Sequence, residues 1–250
     1  MKYKIIKNSN NQNEIQSELT SKIWPEFMHH DIIVTKYWKY LFNNFLSFQI
    51  AYVLDKTTVG IANSIPLRWD KDFNELPDGG LDWAFEKAVN DYNNNVKPNL
   101  LVVLQISVNK DYQGQGLSTL LLKSMKEISK QNNFKHIVIP IRPTLKSDYP
   151  LISINDYITW KRVDNLPFDP WLRVHMRNGC KILRVCKKSM KIEGTVKEWE
   201  SWTNKKYPGD GDYIEDTWVN ISWRSGDSAV SHDVYTVSYT HLTLPTTPYV

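Results

Sequence analysis

Two glycines one residue apart, Gly114 and Gly116, stand in the stretch SVNKDYQGQGLSTLLLKSM that begins at Ser107. A continuous apolar run from Leu100 to Leu104 leads into it and passes into alternation, with Leu104, Ile106 and Val108 on one face and Gln105 and Ser107 on the other. That is the pattern of a buried strand ending at a surface. After the glycines, Leu117, Leu120, Leu121, Met125 and Ile128 recur at helical spacing, with Lys123, Lys126, Glu127 and Lys130 largely opposite. The spacing predicts an amphipathic helix. Glycines between a strand and a helix leave backbone N–H groups free beside the positive helix end, and such groups receive a pyrophosphate. Two common phosphate loops are excluded. No Gly-Lys-Ser/Thr follows, and the third glycine of a dinucleotide loop would fall at Thr119.

The elements that must position this loop follow from the same kind of pattern. His136–Ile141 (HIVIPI) reads as the next strand, so strand, loop, helix and strand make a βαβ unit. Pro140 removes one ladder donor from that strand, which is tolerated at an edge or where neighbours separate. Upstream, residues 2–6 read as an opening strand, Phe48–Leu54 and Thr58–Pro66 as a hairpin turning at Asp55-Lys56, and Leu81–Tyr92 as a helix. Downstream, residues 143–165 are irregular and rich in aromatic residues, an insertion that is a candidate cover for a binding site. Asp169-Pro170 starts a helix that Gly179 ends. Lys181–Cys186 and Thr217–Trp223 read as further strands, with a capping box at Thr195-Val196-Lys197-Glu198 between them.

Gln113, Gly116 and Ser118 occupy the three defining places of the pattern Q/R-x-x-G-x-G/A, and the stretch around them resembles motif A of the GNAT acetyltransferases. Serine stands where the family has glycine or alanine. The resemblance extends from about Lys2 to Trp223. It implies a mixed α/β fold whose central sheet splays between its fourth and fifth strands and is flanked by helices. Acetyl-CoA would be the co-substrate, its pyrophosphate on Gln113, Gly114, Gln115, Gly116, Leu117 and Ser118 and its pantetheine amides on the backbone of Ile106, Ser107 and Val108. A second match, HMRNGCKIL at 175–183, is similar to the family's Y-x-x-x-G-F. His175 then takes the place of the tyrosine that gives a proton to the departing thiolate, a task open to an imidazole near neutrality; a packed helix-end histidine is the other reading. The family's fourth-strand glutamate is replaced by Gln105, so the base is left to other groups or a water chain. Glu26, His29, His30 and Asp31 lie where the family's acceptor-side loop runs, and of these Glu26, His30 and Asp31 are the candidate substrate-binding residues; an exposed polar cluster is the other reading. The activity implied is acetyl transfer to the amine of a small-molecule acceptor; the rival is a catalytically silent acyl-CoA-binding or interaction module.

Composition bounds the rest. The 250 residues are 41% hydrophobic and 12% aromatic, enough for a full core. One domain over 1–235 is expected. A net charge of +4 with no long basic run gives no support for a nucleic-acid partner. No apolar segment reaches the length of a membrane span, and two cysteines, Cys180 and Cys186, suit a reducing, cytoplasmic setting. The His29-His30 pair has no companion ligand pattern, so no metal is expected. The stretch from Val237 resembles translated sequencing adaptor, and residues 236–250 are expected to be a non-native tail; an ordinary polar tail is the other reading.

Overall fold

The computed structural model describes residues 3–7 and 9–207, together with the backbone of the strands at 211–214, 219–223 and 229–239. After β1 (Lys4–Ile6), helices α1 (Gln12–Ile23) and α2 (Ile32–Asn43) flank a short 3-10 turn at Glu26–His30. The hairpin of β2 (Gln49–Leu54) and β3 (Thr57–Leu67) follows, then α3 (Gly80–Asn93) and β4 (Leu100–Val108). Next come α4 (Leu117–Gln131), β5 (His136–Ile141), the single turn α5 (Ile154–Tyr157) and α6 (Pro170–Arg177). The described elements end with β6 (Lys181–Ile192), α7 (Val196–Thr203), β7 (Gly211–Ile214), β8 (Val219–Trp223) and β9 (Ala229–Tyr239).

The sheet runs β1-β2-β3-β4-β5-β9-β8-β7, with β6 also paired to β9, and among the described strands only β4 and β5 pair in parallel. Those two strands share a short ladder. Their pairing begins at Leu100 with His136 and stops at Val102 with Val138, while β4 continues to Val108 and β5 to Ile141. Just past that point Asn63 pairs with Gln105 and Ser64 with Val103, so Leu104 is an extra residue on β4. A bulge of this kind bends its strand and increases the local twist, which turns β4 away from β5. The splayed, mixed sheet implied by the sequence is present. Pro140 lies beyond the last β4 partner, where its missing N–H costs no bond to β4.

Helix α4 holds the loop in place by burying Leu117, Leu121, Leu122, Met125 and Ile128 against the sheet. Each such side chain stabilises by about 1.5–3 kcal/mol when fully removed from water. Leu121 sits over Gly60, where an added Cβ would come 2.9 Å from Leu121 Cδ1. Leu120, expected on the buried face, is 37% exposed, and Leu122 is buried in its stead. On the other face α1 packs Leu19 on Ala51 and Ile61.

Three boundaries can be set beside those expected. Strand β6 runs six residues past Cys186, to Ile192, because it pairs with β9 along its length. Of the strand expected at 217–223, residues 219–223 form β8, and 217–218 lie outside the described residues. The tail boundary after Tyr235 falls inside β9: Thr236 pairs with Ile139 and Tyr239 with His136, so residues 236–239 belong to the ladder on β5. Residues 240–250 lie outside the described residues.

Candidate functional site

Gln113 follows the turn Lys110–Tyr112, and Gly114 and Gly116 take φ of +77° and +78°. An L side chain pays for that region, so glycine is the residue the turn requires. Gly116 is also the N-cap of α4, and no side chain caps the helix there. The amides of Leu117, Ser118 and Thr119 therefore head the helix without intrahelical acceptors. A Cβ built on either Gly114 or Gly116 meets nothing within 4 Å. The loop thus presents bare N–H groups and a helix dipole to open space, an anion-receiving arrangement. Gln115 accepts a long hydrogen bond from the Tyr3 hydroxyl at 3.4 Å.

The gap between β4 and β5 lies beside this loop in the chain's path, since β4 ends at Val108 and the loop begins five residues on. Along Ile106, Ser107 and Val108, β3 satisfies one edge of β4 through Ala62, Ile61 and Gly60. Alternate N–H and C=O groups on the other edge then face the gap, unpaired by β5. Backbone of that kind offers donors and acceptors to an extended amide-bearing chain.

On the α1 side of β4 the surface is polar and neutral. Gln105 accepts from Asn63 Nδ2 at 3.0 Å and donates to Ser107 Oγ at 3.0 Å and Thr20 Oγ1 at 3.5 Å. Thr20 is also part of a cleft between α1 and α2, about 310 Å³ in volume, whose other walls include Gln16, Ser21, His29, Trp38 and Phe42. The chain from Gln105 through Thr20 therefore joins the cleft to the strand that flanks the gap.

The residues selected from sequence as substrate-binding have protein partners of their own. Asp31 is fully buried and caps α2, accepting from Val34 N at 2.8 Å. His30 stacks on Trp202 with ring centroids 4.1 Å apart and pairs its Nε2 with Glu26 Oε1 at 3.2 Å. Neither His30, Glu26 nor Asp31 is among the cleft-lining residues; the histidine that lines it is His29. In a short 3-10 turn adjacent residues face different ways, and the sequence His-His gives no indication which ring turns inward.

Asp31 has a second partner that sequence reading missed. Desolvation raises the pKa of both Asp31 and Asp82, and the Asp31 charge adds to the burial of Asp82 to push that carboxyl to about 8. Glu86 adds to the rise at Asp82, while Arg142, whose guanidinium donates toward the thioethers of Met28 and Met190 at 3.0 and 3.2 Å, lowers Asp31. Asp82 accepts from Lys191 N at 2.9 Å through Oδ2. Asp31 Oδ2 and Asp82 Oδ1 lack a partner if both groups are ionised. One proton held between the two carboxyls satisfies both oxygens. The pair thereby joins the starts of α2 and α3 to β6.

His175, which the resemblance puts in the place of the proton donor, lies in the interior among packing partners. It is wholly buried, its ring edge-on to Trp171 at 4.4 Å between centroids, with Nδ1 3.8 Å from Cys180 Sγ. Burial, reinforced by the Lys126 charge, pushes the imidazole down to about 3. At neutral pH it has no proton to spare beyond its single N–H. His175→Ala is expected to cost about 2–4 kcal/mol through the cavity it leaves, a melting temperature lower by about 5–10 °C, with the pH dependence of turnover unchanged. Calorimetry and a pH–rate profile check the two halves.

No residue lining the cleft comes from the aromatic insertion at 143–165. Tyr149, Tyr157, Trp160 and Phe168 pack on one another, and the Tyr157 hydroxyl donates to Asp169 Oδ2 at 3.0 Å. They make a small core of their own. Among the described residues, no group of three or more His, Cys, Asp or Glu is placed to hold a metal, and no helix is long and apolar enough to cross a membrane.

Comparison with known proteins bears on this geometry. Residues 13–148 match the profile of the Acetyltransferase (GNAT) family. The chain is 30% identical over 199 residues to the arginine N-acetyltransferase avaD of Aspergillus versicolor, a match covering 73% of this chain and 68% of that one. Among solved structures it resembles the loading GNATL domain of CurA from Lyngbya majuscula, with a TM-score of 0.67 at 16% identity over 96% of this chain and 98% of that one. It also resembles an aminoglycoside 6'-N-acetyltransferase complexed with coenzyme A, with a TM-score of 0.51 at 13% identity over 98% and 99%.

Proposed function

The chain belongs to the GNAT family of acetyltransferases, and from that premise we propose that it moves acetyl from acetyl-CoA to the amine of a small molecule bound between α1 and α2. The observation that carries this reading is the parting of β4 and β5 beyond Val102 and Val138, next to a glycine loop that bares the start of α4. The N–H groups of Gly114–Ser118 would hold the pyrophosphate beside Gln113, whose own N–H donates to Lys110 O, and the free edge of Ile106, Ser107 and Val108 would hold the pantetheine amides. That placement brings the thioester to the bulge at Leu104, where a backbone N–H of β4 meets the oxyanion of the tetrahedral intermediate. The cleft beyond Thr20 lies on the opposite side and admits the amine. Amine, thioester and oxyanion donor are then held together without a covalent enzyme intermediate.

The relative that acetylates arginine supports an amino-acid-like amine as the first acceptor to test. A reducing, cytoplasmic setting goes with a chain whose two cysteines are both buried, and the continuous core from Phe27 to Tyr207 supports one domain. The decisive assay is thiol release from acetyl-CoA with a panel of amines that includes L-arginine. Amine-dependent thiol is the expected result. Tight acetyl-CoA binding with no turnover on any amine would instead support a silent acyl-CoA-binding module.

A further inference from the structure

We propose that His29 is the proton acceptor of the transfer, taking the ammonium proton of an amine held in the cleft between α1 and α2. The proposal rests on the reading of that cleft as the acceptor site. An aliphatic amine reaches the enzyme as an ammonium ion at neutral pH and is no nucleophile until one proton leaves. The strand position from which a carboxylate would take that proton carries Gln105, an amide whose oxygen is already engaged by Asn63. Every lining residue of the cleft other than His29 is an amide, a hydroxyl or an apolar aromatic: Asn13, Gln16, Ser17, Thr20 and Ser21 on one wall, Trp38 and Phe42 on the other. His29 is the one lining side chain with a ring nitrogen able to accept a proton.

The other ionisable groups around it are committed elsewhere. Glu26 is taken by His30, and Glu18 on α1 by Lys22 at 2.7 Å. Asp31 holds the start of α2 and shares its proton with Asp82, while Lys36 on α2 lies over the Tyr37 ring. On α7, Glu198 closes the capping box with Thr195. His175 is buried away from water, and His136 stands at the far end of β5, where β4 and β5 are still paired. The His29 ring, by contrast, is exposed and rests against Trp24, with centroids 6.0 Å apart. A cleft of this volume is about 8 Å across, so an amine within it lies within one water of the ring, the reach that general-base catalysis requires.

The proton count closes. His29 takes one proton from the ammonium and becomes imidazolium; the freed amine forms the C–N bond to the acetyl carbon; the C–S bond breaks as the tetrahedral intermediate collapses. The second nitrogen proton passes through water to the departing sulfur. His29, open to solvent, returns its proton to bulk water.

The test uses the intact protein with acetyl-CoA and L-arginine, or whichever panel amine the wild type turns over. His29→Gln and His29→Asn should each lower kcat/KM by about 10²-fold at pH 7 while KM for acetyl-CoA and the melting temperature hold. Toward pH 9.5, where a growing share of the amine arrives neutral, the deficit should shrink to within a few-fold, and the acidic limb of the wild-type profile should be absent from both variants. An equal deficit at every pH, or none, overturns the proposal and leaves the acetyl-transfer reading standing. A wild type with no turnover on any amine overturns both.

Discussion

Gly116→Asp should abolish acetyl-CoA binding, with affinity lower by about 10²-fold or more, and leave the fold intact. Fold retention follows from the open surroundings, since a Cβ at this position meets no neighbour within 4 Å. The remaining cost is the left-handed backbone at φ +78°, which aspartate tolerates better than most residues and which is worth about 1 kcal/mol. The loss of binding has two sources. The side chain projects into the space the pyrophosphate would occupy, and its charge opposes the phosphates at a distance of about 4 Å. At that separation each pair of unit charges costs between about 1 kcal/mol in bulk water and about 4 kcal/mol near a protein surface. Two phosphate charges on a solvent-facing loop then account for about 3 kcal/mol, which is about 10²-fold in affinity. Gly116→Ala separates the two effects, because it adds the Cβ without the charge and should lose far less. Calorimetric titration of acetyl-CoA into both variants, beside thermal melts, reads the outcome; wild-type affinity in Gly116→Asp would remove the loop from the cofactor site.

Asp82→Asn should stabilise the protein, by about 5 °C at pH 8 and by almost nothing at pH 4. Both buried carboxyls have folded-state pKa values above the ordinary value, so the sign is fixed. Below pH 4 both carboxyls are protonated in the folded and unfolded states alike, and their stabilising contribution is fully present. As pH rises from about 4 toward about 8, the unfolded chain releases the Asp82 proton freely while the folded chain must keep it, so stability falls through that window. An asparagine amide keeps the acceptor for Lys191 N and supplies a permanent N–H to Asp31, replacing the shared proton without its pH dependence. A gain of about 2 kcal/mol corresponds to the stated shift for a domain of this size. Melts across pH 4–9 check it: a wild type flat over that range, or an Asp82→Asn variant less stable than wild type at pH 8, would show that no proton is shared there. The asparagine variant should also hold the start of α2 in place at alkaline pH, beside His29.

The parts of this protein written in local pattern were legible without coordinates. Apolar alternation from Leu100 to Val108, the paired glycines, the 3.6-residue spacing after Leu117 and the run His136–Ile141 determine a strand, a phosphate-type loop, a helix and a second strand in order. The positive φ at Gly114 and Gly116 is likewise local, because steric cost at Cβ decides it residue by residue. Even the separation of the strands left a trace, in the donor missing at Pro140.

What depends on residues far apart in the chain was not legible. His175 matched a motif, but whether an imidazole at that place is wet or dry is set by Trp171, Cys180 and the helix bearing Lys126, and dryness pushes its pKa down to about 3. In the sequence Asp82 is one polar residue near the start of a helix; only the packing of α2, α3 and β6 brings it to Asp31 and makes a proton the cheapest partner for both. Burial and the approach of like charges are properties of assembled surfaces, not of spacing. The same holds for the histidine pair, where the sequence offered two identical rings and tertiary packing divided them. Trp202 on α7 and Glu26 hold His30 in a stack, and His29 is left to line the cleft between α1 and α2.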